Sequence, residues 1–124
     1  MFNTSWPILI VDDEPHIRLL YEQELSEEGY HIESVSTGNE ALQVLEQDPV
    51  DLVVLDIRLK EESSDGLTVL NEILRKNRDQ KVVLNTAYAS YMDAGASWQA
   101  NGFVVKSADL TELKTTIKDV LTTG

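Results

Sequence analysis

The sequence predicts an α/β fold in which five strands alternate with five helices around one parallel sheet. Short apolar runs, such as residues 8–11 and 52–55, have the length and continuous hydrophobicity of strands that are buried on both faces. The segments between these runs carry apolar residues at helical spacing. Strands that alternate with helices form parallel sheets with right-handed crossovers and helices on both faces. We therefore expect a doubly wound (βα)5 fold.

The first half of the chain contains two strand–helix pairs. The predicted strands are residues 7–11, which are continuously apolar, and residues 31–36, which alternate between apolar and polar side chains. The first helix is predicted to begin at Pro15, since proline suits a first helical turn, and to end at Gly29. The second is predicted to begin at Thr37-Gly-Asn-Glu40, which has the pattern of a capping box.

The second half contains three more strands, which are predicted at residues 51–56, 81–85 and 102–106. A helix follows each strand, and the three helices are predicted to begin at Gly66, near Ser90 and at Asp109. We expect the helix from Ser90 to Gln99 to be the least regular, because Gly95 interrupts it.

Composition and charge narrow the classes of function. The chain has 124 residues, enough for one domain with a buried core. Its 22 acidic and 10 basic residues give a formal charge of −12, so a nucleic-acid backbone or an anionic membrane would repel it. The absence of cysteine excludes disulfides and thiolate chemistry. No signal-peptide pattern or membrane-spanning apolar run is present, so we expect a cytoplasmic location.

Reactive side chains follow four of the strands at their carboxyl ends. Asp12 and Asp13 follow the first strand, and Asp56 follows the third. The fourth strand ends at Thr86 and the fifth at Lys106. All strands of a parallel sheet point the same way, so these ends share the edge where open α/β sheets bind ligands. We expect the five side chains to converge there, although any one of them could be an ordinary cap or loop residue.

This combination of side chains suits metal-assisted phosphoryl transfer. Three neighbouring carboxylates repel one another, and a divalent cation removes that repulsion. Mg²⁺ prefers oxygen ligands and also neutralises phosphoryl oxygens during transfer. A lysine and a threonine hydroxyl can hold the remaining oxygens. A carboxylate can itself act as the nucleophile and form an aspartyl phosphate.

Five short motifs occur in order along the chain. They are Asp12-Asp13 after a strand, Asp56 after Asp51-Leu-Val-Val-Leu, Asp65-Gly66, Thr86-Ala87, and Lys106 after Gly-Phe-Val-Val. Together they resemble the receiver domain of bacterial response regulators, the CheY-like family, and the resemblance extends over residues 8–121. It implies a flavodoxin-like sheet with the strand order 2-1-3-4-5 and a single receiver domain in residues 1–124.

The resemblance implies a role for each acidic residue of the site. Asp56 would accept a phosphoryl group from the phosphohistidine of a sensor histidine kinase or a phosphotransfer protein. Asp12, Asp13 and Asp56 would bind Mg²⁺ together with the backbone carbonyl of Arg58. Such a domain catalyses only its own phosphorylation and dephosphorylation, so it would be a switch and not an enzyme.

The resemblance also implies how the site would signal. Lys106 would pair with the phosphoryl group, Thr86 would move to hydrogen-bond it, and Phe103 would change rotamer with Thr86. The output surface would consist of the fourth predicted helix, the fifth strand and the last helix. It would act on an unknown downstream protein or on an output domain outside this chain, and dimerisation on phosphorylation is left open.

Some residues depart from the family's pattern. Lys60 stands where the family usually has a proline, and the loop that contains it is longer than usual. Ser107 replaces the proline that usually follows the lysine, so we expect a trans peptide bond there. Arg58 and Tyr88 are bulky and stand where the family tunes hydrolysis. We expect them to shield the phosphoryl group and slow self-dephosphorylation.

Two other classes of function are weighed against the receiver interpretation. A degenerate receiver that binds proteins without phosphorylation is one alternative, and the complete set of site residues argues against it. A nicotinamide or flavin carrier is the other, but Asp12-Asp13-Glu14-Pro15 is the opposite in charge to a phosphate-binding loop. Trp98 and Tyr91 are interpreted as helix residues that face the sheet, with a partner surface as the alternative.

Overall fold

A computed structural model describes residues 6–59, 66–90 and 95–123. These residues form a five-stranded sheet in which every neighbouring pair of strands is parallel. The strands are β1 (Pro7–Val11), β2 (His31–Val35), β3 (Leu52–Leu55), β4 (Val82–Thr86) and β5 (Gly102–Val105). Their order across the sheet is β2-β1-β3-β4-β5. The predicted parallel sheet and its strand order are therefore confirmed.

Four α-helices lie in the described part of the chain. They are α1 (Pro15–Glu27), α2 (Gly38–Gln47), α3 (Gly66–Lys76) and α4 (Thr111–Thr122). The longest of them, α1, has 13 residues. Within the described ranges, no helix has both the length and the apolar character needed to cross a membrane.

The segment predicted as a helix from Ser90 to Gln99 differs from an α-helix where it is described. A five-residue 3-10 helix, Gly95–Gln99, precedes β5, and residues 91–94 lie outside the described ranges. Glycine lowers helix propensity by about 1 kcal/mol relative to alanine, and a five-residue segment is too short to offset the cost of nucleating an α-helix. The irregularity expected from Gly95 is therefore present.

The predicted ends of the first two helices are confirmed by local contacts. Pro15 occupies the first turn of α1, and Gly29 beyond its end adopts a φ of 100°, a left-handed conformation that favours glycine. The Thr37 side chain accepts a hydrogen bond from the Glu40 amide at 3.1 Å. The Glu40 carboxylate in turn accepts one from the Ser36 amide at 3.0 Å. Two backbone donors at the start of α2 are thus satisfied reciprocally.

The sheet separates two apolar cores. Side chains alternate along β1, so Ile8 and Ile10 face one core while Leu9 and Val11 face the other. Helices α1 and α4 cover the first core, and α2 and α3 cover the second. Burying a leucine or isoleucine side chain stabilises the fold by about 1.5–3 kcal/mol. Burial on both faces explains why the central strands are continuously apolar in sequence.

Backbone hydrogen bonds bring the carboxyl ends of the strands together. The Asp56 amide donates to the Val11 carbonyl at 3.0 Å, so the residue after β3 lies beside the end of β1. The Lys106 amide donates to the Thr86 carbonyl at 2.7 Å, which joins the ends of β5 and β4. The Lys106–Ser107 peptide bond is trans, as predicted. One edge of the sheet therefore collects residues that are far apart in sequence.

Candidate functional site

Three carboxylates meet at the carboxyl edge of the sheet. Asp12, Asp13 and Asp56 each offer one oxygen, and these oxygens lie within 4.8 Å of one another. Asp12 is 2% exposed and Asp56 is 4% exposed, while Asp13 is half-buried. An oxygen-only set of ligands with one side open to solvent fits Mg²⁺, which keeps several waters when it binds protein.

Lys106 bridges two of the carboxylates. Its Nζ lies 2.7 Å from Asp12 Oδ2 and 3.0 Å from Asp56 Oδ2. A more distant oxygen, Glu14 Oε2, lies 3.9 Å away. The Lys106 side chain is 14% exposed, so water screens these pairs only weakly. A single ammonium thus offsets part of the repulsion among several acidic groups.

Burial and charge act in opposite directions on the ionisable groups of the site. Burial raises the pKa of Asp56, and the Asp12 charge adds to the rise, while Lys106 and the Arg58 amide oppose it. Burial tends to lower the pKa of Lys106, but its hydrogen bonds and charge interactions with Asp12 and Asp56 prevail and raise it. Lys106 is therefore charged at neutral pH, while ionisation of Asp56 is less favourable than that of a free aspartate.

Local hydrogen bonds orient the two buried carboxylates. Asp12 Oδ1 accepts from the Glu14 amide at 3.0 Å, and the Arg18 side chain donates to the Asp12 carbonyl at 2.7 Å. Asp56 Oδ1 accepts from the Arg58 amide at 3.2 Å. Both carboxylates are held by the backbone two residues further along the chain. The backbone of Arg58, whose carbonyl was predicted as a ligand, consequently lies next to the Asp56 carboxylate.

Gly66, the first residue of α3, lies directly against the phosphoacceptor candidate. A Cβ atom at this position would lie 2.2 Å from the Asp56 carbonyl oxygen and 2.7 Å from the Ile57 Cα. The Gly66 amide donates to the Ile57 carbonyl at 2.6 Å. Only glycine allows this close approach. Its sequence neighbour Asp65 and the earlier residue Lys60 lie outside the described residues.

Thr86 and Phe103 lie on adjacent strands, β4 and β5. Thr86 is fully buried, and its hydroxyl accepts from the Tyr88 amide at 3.3 Å. Phe103 is half-buried in the core covered by α2 and α3, and it pairs with Leu84 in the register of β4 and β5. Because side chains alternate along a strand, Thr86 shares the face of Leu84. The two predicted switch residues therefore lie on one face of the sheet.

Two aromatic side chains in the second half of the chain, Tyr88 and Trp98, are exposed. The Arg58 guanidinium lies 4.8 Å from the centroid of the Tyr88 ring, within the range of a cation–π interaction. Tyr88 is 46% exposed. Trp98 is 77% exposed, so its interpretation as a residue facing the sheet is wrong. In the 3-10 helix that carries it, Gly95 and Gln99 are exposed as well. Tyr91 lies outside the described residues.

A buried polar pair near the site was not singled out from the sequence. The Tyr21 hydroxyl donates to Asn85 Oδ1 at 2.6 Å, and Asn85 Nδ2 donates to the Val104 carbonyl at 3.0 Å. Burial is the main reason that the pKa of Tyr21 rises to about 12, and the charges of Lys106, Asp12 and Asp56 also act on it. The available signal was an asparagine within an apolar strand, since a buried amide requires partners.

The fold and the site define a doubly wound α/β protein with a lysine-bridged acidic cluster at the carboxyl edge of its sheet. A family model described as "Response regulator receiver domain" matches residues 8–118. The chain belongs to this family of receiver domains.

Curated relatives include longer regulators. The chain is 38% identical over 121 residues to a "Probable transcriptional regulator ycf27" of Guillardia theta, covering 96% of this chain and 46% of the relative. It is 35% identical over 116 residues to "Transcriptional regulatory protein GlrR" of Escherichia coli strain K12, covering 92% and 26%. The chain thus spans about half the length of the first relative and about a quarter of the second.

Solved structures of similar length share the fold. The response regulator protein TrrA from Thermotoga maritima, crystallised in complex with Mg(2+)-BeF, has a TM-score of 0.87 at 44% identity, covering 93% of this chain and 98% of TrrA. A structure of TrrA in complex with the histidine kinase ThkA has a TM-score of 0.87 at 44% identity, covering 94% of this chain and 99% of that chain. Both comparisons agree with the observed sheet topology.

Proposed function

We propose that residues 1–124 form a single phosphoacceptor receiver domain of a two-component response regulator. Asp56 would take its phosphoryl group from the phosphohistidine of a sensor histidine kinase or a phosphotransfer protein. The observation that carries this proposal is the cluster of Asp12, Asp13 and Asp56 oxygens within 4.8 Å, with Lys106 bonded to two of these carboxylates. The similarity to TrrA, which has been crystallised with a histidine kinase, supports the choice of partner.

The acidic cluster would hold Mg²⁺. The ligands would be the carboxylates of Asp12, Asp13 and Asp56 and the backbone carbonyl of Arg58. Their oxygen chemistry and mutual repulsion both favour a hard divalent cation. When bound, the ion would supply positive charge to the oxygens of the phosphoryl group. The Mg(2+)-BeF complex of TrrA supports this choice of ion.

The chemical step is an in-line displacement at phosphorus. An Asp56 carboxylate oxygen forms the new P–O bond while the P–N bond to the donor imidazole breaks. The imidazole leaves with that electron pair and takes up a proton. Lys106, now bonded to Asp56 Oδ2, would instead hold a phosphoryl oxygen through a charge-assisted hydrogen bond. The domain would catalyse only its own phosphorylation and dephosphorylation, and its role would be that of a switch.

The signal would leave the site through Thr86 and Phe103. The Thr86 hydroxyl, now accepting from the Tyr88 amide, would turn to donate to the phosphoryl group. Phe103 lies on the same face of the neighbouring strand and would follow. The phosphoryl group would shift the population between two packed states of the surface formed by the 3-10 helix region, β5 and α4.

The output partner would be a downstream protein or an output domain outside this chain. The longer transcriptional regulators among the relatives support an output domain. A net charge of −12 argues against direct contact of this chain with nucleic acid or with an anionic membrane. We also propose that the domain acts in the cytoplasm, where it would meet its kinase or phosphotransfer partner. Dimerisation on phosphorylation is left open.

Intact-protein mass spectrometry after incubation with Mg²⁺ and acetyl phosphate tests the proposed acceptor. We expect the parent to gain one phosphoryl group and the Asp56→Asn variant to gain none. Gain by both proteins would mean that Asp56 is not the sole acceptor. If neither gains mass and Mg²⁺ leaves the melting temperature of the parent unchanged, the alternative of a phosphorylation-independent binding module is favoured.

A further inference from the structure

A chain of buried hydrogen bonds links α1, β4 and β5 just beneath the site. Tyr21 of α1 and Asn85 of β4 are each 2% exposed. The Tyr21 hydroxyl bonds Asn85 Oδ1 at 2.6 Å, and Asn85 Nδ2 bonds the Val104 carbonyl of β5 at 3.0 Å. These polar groups are surrounded by the apolar core that α1 and α4 cover. Such buried polar groups are costly unless paired, so the arrangement is specific.

The direction of these bonds allows one arrangement. A backbone carbonyl only accepts hydrogen bonds, so the donor Nδ2 of Asn85 must face Val104. Its oxygen must then face Tyr21, and the Tyr21 hydroxyl must donate. If the amide turned over, two acceptors would meet at Val104. The Val104 carbonyl thus fixes the orientation of the Asn85 amide, and the Tyr21 hydroxyl donates to the amide oxygen that this orientation presents.

The chain ends next to the residues that carry the proposed chemistry. Asn85 directly precedes Thr86, and Val104 lies two residues before Lys106. The Lys106 amide is bonded to the Thr86 carbonyl at 2.7 Å. In the described part of the chain β5 is at the edge of the sheet, and β4 is the only strand that pairs with it there. The carboxyl end of β5 therefore depends on its attachments to β4, and the Asn85 side chain supplies one of them.

We propose that Tyr21 and Asn85 are positioning residues for phosphoryl transfer: their buried hydrogen bonds hold the carboxyl ends of β4 and β5 so that Thr86 and Lys106 face Asp56. The proposal deepens the proposed receiver function and rests on it. Neither residue contacts the phosphoryl group in this proposal. Both act through the position of Lys106, whose ammonium lies 3.0 Å from Asp56 Oδ2.

The test separates positioning from stability by means of a double variant. Asn85→Leu alone leaves the Tyr21 hydroxyl buried without its acceptor and should destabilise the fold. Tyr21→Phe combined with Asn85→Leu removes the hydroxyl and the amide together, which recovers much of the lost stability. The matched control is Asn101→Leu, because Asn101 Oδ1 accepts from the Val82 amide at 2.9 Å at the opposite end of the same two strands.

Two readouts are measured on each variant. The first is the initial rate of phosphorylation by acetyl phosphate, which we expect to fall about tenfold in the double variant, since a misplaced lysine no longer stabilises the transferring charge. The second is hydrogen exchange of the Lys106 amide relative to the amides of β1, which we expect to rise about tenfold. The control should change neither readout.

A double variant that regains both stability and the parent's phosphorylation rate would overturn the proposal, as would an unchanged exchange rate of the Lys106 amide. Hydrogen exchange requires no phosphorylation. If the parent fails to gain a phosphoryl group, that result counts against the proposed function. The exchange rate of the Lys106 amide still tests whether Tyr21 and Asn85 hold the end of β5. If the double variant does not fold, Tyr21→Phe alone should give a smaller rise in exchange at Lys106, and no rise would contradict the proposal.

Discussion

Asp56 combines burial with a crowded charge environment. It is 4% exposed, and its Oδ2 accepts a hydrogen bond from Lys106, which also bonds Asp12. The charge of Asp12 opposes the ionisation of Asp56. Its pKa is raised because burial and the Asp12 charge outweigh the help of Lys106. The ionised form of Asp56 is therefore less stable in the folded chain than in the unfolded chain.

Replacing Asp56 by asparagine should raise the free energy of unfolding in Mg²⁺-free buffer at neutral pH. A carboxyl whose folded pKa lies above its unfolded pKa costs stability above the folded pKa, and this cost disappears as the pH falls below the unfolded pKa. The advantage of the Asp56→Asn variant should therefore shrink as the pH is lowered. Urea unfolding at several pH values measures it.

The exposed Asp51 at the other end of β3 offers a matched control for this charge change. Asp51→Asn should change the free energy of unfolding by no more than about 0.5 kcal/mol, the range of ordinary surface substitutions. An Asp56→Asn variant that is less stable than the parent at neutral pH would contradict the claim that burial and the charge of Asp12 make the ionised Asp56 destabilising.

Arg58 and Tyr88 should slow the loss of the phosphoryl group. The Arg58 guanidinium lies 4.8 Å from the centroid of the Tyr88 ring. Arg58 follows β3 and Tyr88 follows β4, so both side chains can obstruct an attacking water at this edge of the sheet. Arg58→Ala and Tyr88→Ala should each speed decay of the phosphorylated protein. Because a cation–π contact at an exposed site contributes about 0.5–1 kcal/mol, the two effects should be non-additive by a factor of about two to five. Intact mass followed over time measures the decay, and parent-like decay in both variants would refute the shielding.

At the scale of elements, α3 is placed by its first residue. Gly66 lets the helix start against the backbone of Asp56 and Ile57, at a distance that excludes any side chain. The helix then buries Val69, Leu70 and Ile73 against the sheet. The packing of α3 and the position of the phosphoacceptor candidate are thus coupled through one glycine.

Gly66→Ala should lower the free energy of unfolding by about 1–3 kcal/mol, the usual range for overpacking, and weaken Mg²⁺ binding because the Asp56 backbone must shift. Gly95→Ala is the matched control, since among the described residues beyond its chain neighbours no heavy atom lies within 4 Å of a Cβ built there. It should be neutral or stabilising by up to about 1 kcal/mol. Chemical unfolding and Mg²⁺ titration measure both effects, and equal behaviour of the two variants would contradict this role for Gly66.

At the scale of the whole molecule, the acidic residues behind the net charge of −12 act differently at the surface and in the interior. Most acidic residues lie on the surface, where water and salt screen them. The pair Asp12 and Asp56 is buried and cannot be screened in this way. We therefore expect a bound cation to stabilise the molecule mainly at one edge of its sheet.

Mg²⁺ should stabilise the whole fold in a saturable way. Binding to the folded state alone adds about 2.7 kcal/mol when the ion concentration is one hundred times the dissociation constant. We expect the melting temperature to rise with Mg²⁺ at constant ionic strength, and the rise to be much smaller in Asp12→Asn and Asp56→Asn. An equal rise with an ionic-strength match of NaCl would show that general screening, not a site, is responsible.

The order of elements, the parallel sheet and the ends of α1 and α2 followed from the sequence because each depends on local pattern: apolar runs, helical spacing, and capping residues such as Thr37. The approach of Asp12, Asp56 and Lys106 to one edge could be expected because all parallel strands end on the same side. These features require no knowledge of side-chain geometry.

Other features depended on the tertiary structure. The exposure of Trp98 and the 3-10 conformation of its segment depend on which parts of the fold pack against that segment. The hydrogen bond between Tyr21 and Asn85 joins residues 64 positions apart, and Gly66 contacts the Asp56 backbone although the two residues are not neighbours in sequence. Local pattern carries no information about such distances, because they are set by packing across the sheet. The sequence alone therefore determined the fold and the chemistry of its edge, while only the packed structure decided which buried groups meet there.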